Sequence, residues 1–183
     1  MKRCNISRYL CDNVFSQARE ANARQGTDMP KVRLGNVSIY YEEHGQGDPL
    51  ALIMGYGGSS EWWSRQVPHF SQMFCVITFD NRGTGQSDKP NMPYTMEMMA
   101  ADLAGVLDAA DVDAAHIFGI SMGGMIAQHF ALLYPDRVIS LVLGCTTCGS
   151  GHSVAPDPKA VSALLDMGGE QMTLDNALRR YFL

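Results

Sequence analysis

Gly119-Ile120-Ser121-Met122-Gly123 spells G-x-S-x-G, and its flanks constrain the fold more than any other stretch of the chain. An apolar, strand-like run, Ala115-His116-Ile117-Phe118, leads into it, and a helix-like stretch running to about Tyr134 leads out. A strand-to-helix turn of this kind, a nucleophile elbow, thrusts a serine hydroxyl clear of a sheet on a backbone so crowded that only small neighbours fit. Gly119 and Gly123 supply that room. A serine hydroxyl is a weak nucleophile at neutral pH and needs an adjacent general base. Ser121 is the candidate nucleophile, and the base has to come from elsewhere.

The rest of the chain alternates in a way that suits such a turn. Residues 32–34 and 37–41 read as two antiparallel strands around Gly35-Asn36, a pair fitted to a tight hairpin. Residues 50–54 form a short, continuous apolar run, as a strand buried on both faces requires. A helix is expected over about 59–70 and a strand over 75–79. A second helix, capped by Thr95, places Met99, Leu103, Val106, Leu107 and Ala110 on one face. Pro135-Asp136-Arg137 then turns the chain into a strand over 138–143. The expected class is α/β, with a mostly parallel sheet, antiparallel strands at its N-terminal side and flanking helices.

Composition narrows the functional classes. A chain of 183 residues with 46% hydrophobic content suits one domain, and no apolar run is long enough to cross a bilayer, so no membrane partner is expected. A net charge of −5 without a clustered basic surface argues against nucleic acid and for a small-molecule substrate. Five cysteines, an odd number without secretory context, fit a reducing compartment, and the cytoplasm is the expected location. Residues 1–28 read as a loose N-terminal extension and 29–149 as the folded domain. In 150–183, Val161, Leu164, Leu165, Leu174, Leu178 and Tyr181 recur at helical spacing, as in the start of a helical cap or a linker.

Three segments at strand ends carry a family resemblance: Met54-Gly55-Tyr56-Gly57-Gly58, Asp80-Asn81-Arg82-Gly83-Thr84-Gly85-Gln86-Ser87, and the elbow itself. Together they resemble the α/β-hydrolase superfamily from about Met29 to Gly149, and within it the esterase, enol-lactonase and non-haem perhydrolase branch. Serine at the elbow disfavours the haloalkane dehalogenases and epoxide hydrolases, which place aspartate there. The resemblance implies acyl transfer on a small ester or lactone without metal or organic cofactor. It also implies an oxyanion hole made by the backbone N–H groups of Tyr56 and Met122, with Gly55, Gly57 and Gly58 allowing close approach of the loop.

Other chemistry-bearing residues read as structural. Asp80 and Arg82 suit mutual pairing and turn-shaping. One of Trp62 and Trp63 is expected in the core. Cys145-Thr146-Thr147-Cys148 has redox spacing but no following helix pattern, and reads as fortuitous.

The triad is harder to complete, because the superfamily's chain order is serine, then acid, then histidine. His129 would sit roughly 12 Å along the elbow helix from Ser121 at about 1.5 Å per residue, too far to act as base. His152 follows the last strand and is the remaining candidate base, opposed by a reading as a solvated loop histidine. Asp136 precedes that strand, and Asp157 follows His152, which inverts the order. The expectation is the N-terminal part of a longer hydrolase, weakly active or inactive alone, with residues 138–143 as an apolar sheet edge open to self-association. The alternative is a catalytically silent ligand-binding or interaction module on the same scaffold.

Overall fold

The computed structural model describes residues 30–149, together with 157–159 and 162. Among these residues six strands form one sheet: β1 (Lys31–Leu34), β2 (Val37–His44), β3 (Asp48–Ile53), β4 (Phe74–Phe79), β5 (Ala115–Ile120) and β6 (Val138–Gly144). Their order is β1-β2-β4-β3-β5-β6. The β1/β2 and β2/β4 pairs are antiparallel, whereas β3/β4, β3/β5 and β5/β6 are parallel. The hairpin closes as its sequence predicts: Leu34 faces Val37 across the two-residue turn, and Gly35 takes the positive φ of 63° that the turn needs.

Strand parity distributes the core over both faces of the sheet. Ala51 and Ile53 of β3, Ile77 and Phe79 of β4, and Ala115 and Ile117 of β5 pack into one cluster. Leu50 and Leu52 of β3, with Met54 just beyond it, pack with Val76 and Trp63 in a second. Each side chain follows the period-two alternation of a pleated strand, so the continuous apolar run of β3 is what burial on both faces demands.

The helices α1 (Val67–Phe70), α2 (Met96–Ala109) and α3 (Met122–Leu133) flank the sheet. Thr95 caps α2, its side chain accepting from the Met98 N–H, and Met99, Leu103, Val106 and Leu107 are buried as their spacing predicts. The single helix expected over 59–70 is instead a 3₁₀ turn, Ser60–Trp63, followed by α1. Pro68 explains the break. It has no N–H to bond four residues back and its ring crowds that carbonyl, so a helix restarts at proline more readily than it passes through.

Trp63 is 3% exposed and Trp62 60%, which meets the expectation that one of the pair enters the core. The apolar edge is also where it was expected. Among the described residues β6 is the last strand in the sheet order, and Ile139, Leu141, Val142 and Leu143 are exposed along it. The segments 1–28, read as a loose extension, and 150–183, read as the start of a helical cap or a linker, lie outside the described residues apart from positions 157–159 and 162.

Candidate active site

Ser121 stands between the end of β5 and the first residue of α3, at the carboxyl edge of the parallel strands. Its backbone has φ 54° and ψ −122°, a conformation that non-glycine residues adopt only when the surroundings enforce it. The enforcement is visible. The Ser121 N–H donates to the Gly144 carbonyl at 2.8 Å, tying the turn to the end of β6. The Ser121 carbonyl accepts from the Gly124 N–H at 3.0 Å and from the Thr146 hydroxyl at 2.8 Å.

The glycines around this turn are sterically required. A Cβ at Gly119 would collide with the Gly123 carbonyl, and one at Gly123 with the Ile53 carbonyl. Both obstacles are backbone and cannot rotate away. A Cβ at Gly55 would lie 3.0 Å from Ser121 Cβ and 3.5 Å from its Oγ, so the glycine loop after β3 comes directly against the serine. The Met122 and Gly123 amides belong to the first turn of α3, where N–H groups precede the first intrahelical bond and the helix dipole favours negative charge.

The segment after β4 ties its neighbours together. Asp80 is 1% exposed; its Oδ1 accepts from the Ser60 N–H at 2.6 Å and its Oδ2 from the Gln86 N–H at 2.7 Å. Arg82 does not pair with Asp80, as its sequence position suggested. It makes a two-pronged contact to Asp102 on α2, Nε to Oδ2 at 2.6 Å and Nη2 to Oδ1 at 2.7 Å. The bond to Asp102 raises the Arg82 pKa, while burial pushes the Asp102 carboxyl up against the opposing pull of the guanidinium. Two facts explain the exchange of partners: the Asp80 carboxylate is already filled by backbone donors, and Asp102 is buried where it needs a cation.

Three of the described histidines have polar partners elsewhere. His129 Nδ1 lies 3.5 Å from Glu97 Oε1 on the side of α3 that meets α2, as its helical position predicts. His116 Nδ1 bonds the Ser140 hydroxyl at 2.7 Å, and His44 Nε2 lies 3.0 Å from Glu42 Oε2. Glu42 also accepts from the Tyr40 hydroxyl; burial first, and then this carboxylate, push the Tyr40 pKa up to about 12. Asp136 sits in the 3₁₀ turn that precedes β6, at the opposite end of that strand from Gly144. Asp157 accepts the Lys159 N–H at 2.8 Å. His152 lies outside the described residues.

Sequence reasoning missed three contributors. Thr146 holds the Ser121 carbonyl, Gln128 Nε2 holds the Thr147 carbonyl at 2.9 Å, and Asn81 Nδ2 holds the Met54 carbonyl at 3.0 Å. No local pattern announces these bonds, because each joins segments brought together only by the sheet. Among the described residues, no three His, Cys, Asp or Glu side chains cluster as metal ligands would, and no helix is long and apolar enough to cross a membrane. Cys145 and Cys148 are both free thiols.

A sequence model of the family described as alpha/beta hydrolase fold matches residues 48–181. The chain is 41% identical over 115 residues to a protein of Azorhizobium caulinodans named as a carbamate hydrolase, RutD; the match covers 63% of this chain and 43% of that protein. It is 32% identical over 127 residues to the 3-oxoadipate enol-lactonase 2 of Acinetobacter baylyi, covering 68% of this chain and 48% of the enzyme. Among solved structures, that of Est816, described as an N-acyl homoserine lactone degrading enzyme, superposes with a TM-score of 0.68 at 34% identity. It covers 75% of this chain and 56% of that one. The chain thus spans about half the length of the curated relatives it matches.

Proposed function

The chain belongs to the alpha/beta hydrolase fold family, and from that premise we propose that it provides the nucleophile and oxyanion hole of a serine hydrolase acting on a small ester, lactone or related acyl substrate. The observation that carries this reading is the backbone of Ser121, held at φ 54° on a turn that tolerates no Cβ at Gly119 or Gly123. Strain of this kind costs about 1–3 kcal/mol and persists where the surroundings over-determine it, which is the expected condition of a residue presented for chemistry. Relatives named for carbamate, enol-lactone and acyl-lactone chemistry support the acyl class of substrate.

In this reading Ser121 Oγ attacks the substrate carbonyl carbon and gives up its proton to a general base. The carbonyl electrons move onto oxygen, and the resulting oxyanion is received by the N–H groups of Tyr56 and Met122. Collapse of the tetrahedral intermediate expels the alcohol and leaves an acyl group on Ser121, which water then removes. Gly55, lying against Ser121, lets the Tyr56 loop come close enough to share the oxyanion with the first turn of α3. The base lies outside residues 30–149, and His152 is the candidate that this chain carries. The same reading includes self-association along the apolar edge of β6.

A fluorophosphonate probe tests the reading. Covalent labelling of Ser121 that disappears in Ser121→Ala is the expected result. A folded chain that takes no label favours the silent module instead.

A further inference from the structure

The loop that carries the proposed oxyanion donor is rich in glycine, and something outside it must fix its shape. Between the end of β3 and the 3₁₀ turn, Gly55, Gly57 and Gly58 flank Tyr56, and Gly57 has a left-handed φ of 69°. Such a segment has the widest choice of backbone conformations. Within it, the Gly58 N–H donates to the Gly55 carbonyl at 3.3 Å.

Two consecutive residues beyond β4 hold its two ends. At the near end, Asn81 Nδ2 donates to the Met54 carbonyl at 3.0 Å; at the far end, Asp80 Oδ1 accepts from the Ser60 N–H at 2.6 Å. Both side chains are 1% exposed. They are themselves immobilised: the Asp80 N–H donates to the Tyr40 carbonyl at 3.0 Å, the Ser87 hydroxyl to the Asp80 carbonyl at 2.6 Å, and the Thr84 N–H to the Asn81 carbonyl at 3.0 Å. A Cβ at Gly85 would strike the Asp80 carboxylate, so the loop beyond β4 is closed tightly around the same group. Among the described residues the Asn81 Oδ1 has no hydrogen-bond partner, and the bond to Met54 is the one this side chain makes with them.

We infer that Asn81 is a positioning residue for the oxyanion hole, with Asp80 as its counterpart at the other end of the loop. It fixes the Met54–Gly55 peptide and thereby the direction of the Tyr56 N–H toward the carbonyl oxygen attacked by Ser121. The inference rests on the reading of Ser121 as nucleophile and the Tyr56 amide as oxyanion donor. Asn81 touches no reacting atom. Its action is the placement of a dipole, and oxyanion stabilisation is sensitive to placement because the donor must meet the charge where it develops.

The test uses the full chain with two measurements. The first is saturable fluorophosphonate labelling of Ser121, separated into the labelled fraction, the reversible binding constant of the probe and the maximal rate of phosphonylation. The second is hydrogen–deuterium exchange of the segment 54–60, with 122–133 as internal reference. Asn81→Asp keeps the size but turns an acceptor toward the Met54 carbonyl, and Asn81→Leu serves if that variant does not fold. The expected result is an unchanged labelled fraction and binding constant, a maximal rate lower by about 10- to 100-fold, and faster exchange confined to 54–60. A wild-type maximal rate in a fully labelled variant overturns the inference, as does unchanged exchange over 54–60. Wild-type protein that takes no label at Ser121 refutes the nucleophile reading instead, and the exchange result then decides by itself whether Asn81 holds the loop.

Discussion

At Ser121 and its glycines, tolerance of substitution depends on whether the obstacle is backbone or side chain. Ser121→Ala removes the hydroxyl without adding an atom or releasing the backbone bonds to Gly144, Gly124 and Thr146. It is expected to abolish turnover of a short-chain aryl ester while leaving the urea midpoint essentially unchanged; residual hydrolysis at the parent rate would remove Ser121 from the mechanism. Gly123→Ala should be far more damaging, since its Cβ runs into the Ile53 carbonyl. A loss of about 1–3 kcal/mol by urea denaturation is expected from overpacking against a rigid neighbour. A Gly123→Ala protein of parent stability would show that α3 can shift away from β3.

Among the elements, the β1–β2 hairpin is tied to the loop beyond β4 by a titratable group. Asp88 Oδ2 accepts the Ser38 N–H at 2.8 Å, and this bond holds the carboxyl below its ordinary value. Because the folded pKa lies below the unfolded value of about 3.9, the tie contributes in full above that value and is lost as pH falls through the folded pKa. The stability gap between the parent and Asp88→Asn should therefore be wider at pH 7 than at pH 3; an equal gap at both would assign the bond no ionic share. At the other side of the sheet, β6 carries exposed Ile139, Leu141, Val142 and Leu143. Self-association along it should appear as a concentration-dependent sedimentation coefficient. Val142→Lys should suppress it, because charge on an edge strand opposes pairing with a second edge.

For the molecule as a whole, the Arg82–Asp102 contact joins the strand-end loops to the helical layer. Their side chains are 11% and 4% exposed, so the carboxylate is buried and the guanidinium largely so. Asp102→Ala strands a buried guanidinium and should cost about 3–5 kcal/mol, whereas a paired Arg82→Met, Asp102→Leu replacement should recover most of that loss. Urea unfolding of the three proteins checks the cycle. A small effect of Asp102→Ala would mean that the Tyr94 ring, 6.0 Å from the Arg82 guanidinium, is a sufficient partner.

What the sequence alone determined was local in origin. The elbow, the Gly35-Asn36 hairpin, the Thr95 cap and the doubly buried β3 are each written in a few consecutive residues, because backbone sterics and the periods of strand and helix act over that range. Pro68 was equally legible as a break, but the apolar pattern around it masked the interruption. Tertiary structure alone decided the partners: Asp102 rather than Asp80 for Arg82, Met54 for Asn81, and the Ser121 carbonyl for Thr146. These pairs stand 20 to 27 positions apart in the chain. The last two meet because the sheet order places β3 between β4 and β5, with β6 beside β5, so that the ends of all four strands converge on one edge. Local residue patterns specify the strands but not that order, and the geometry around Ser121 follows from the order.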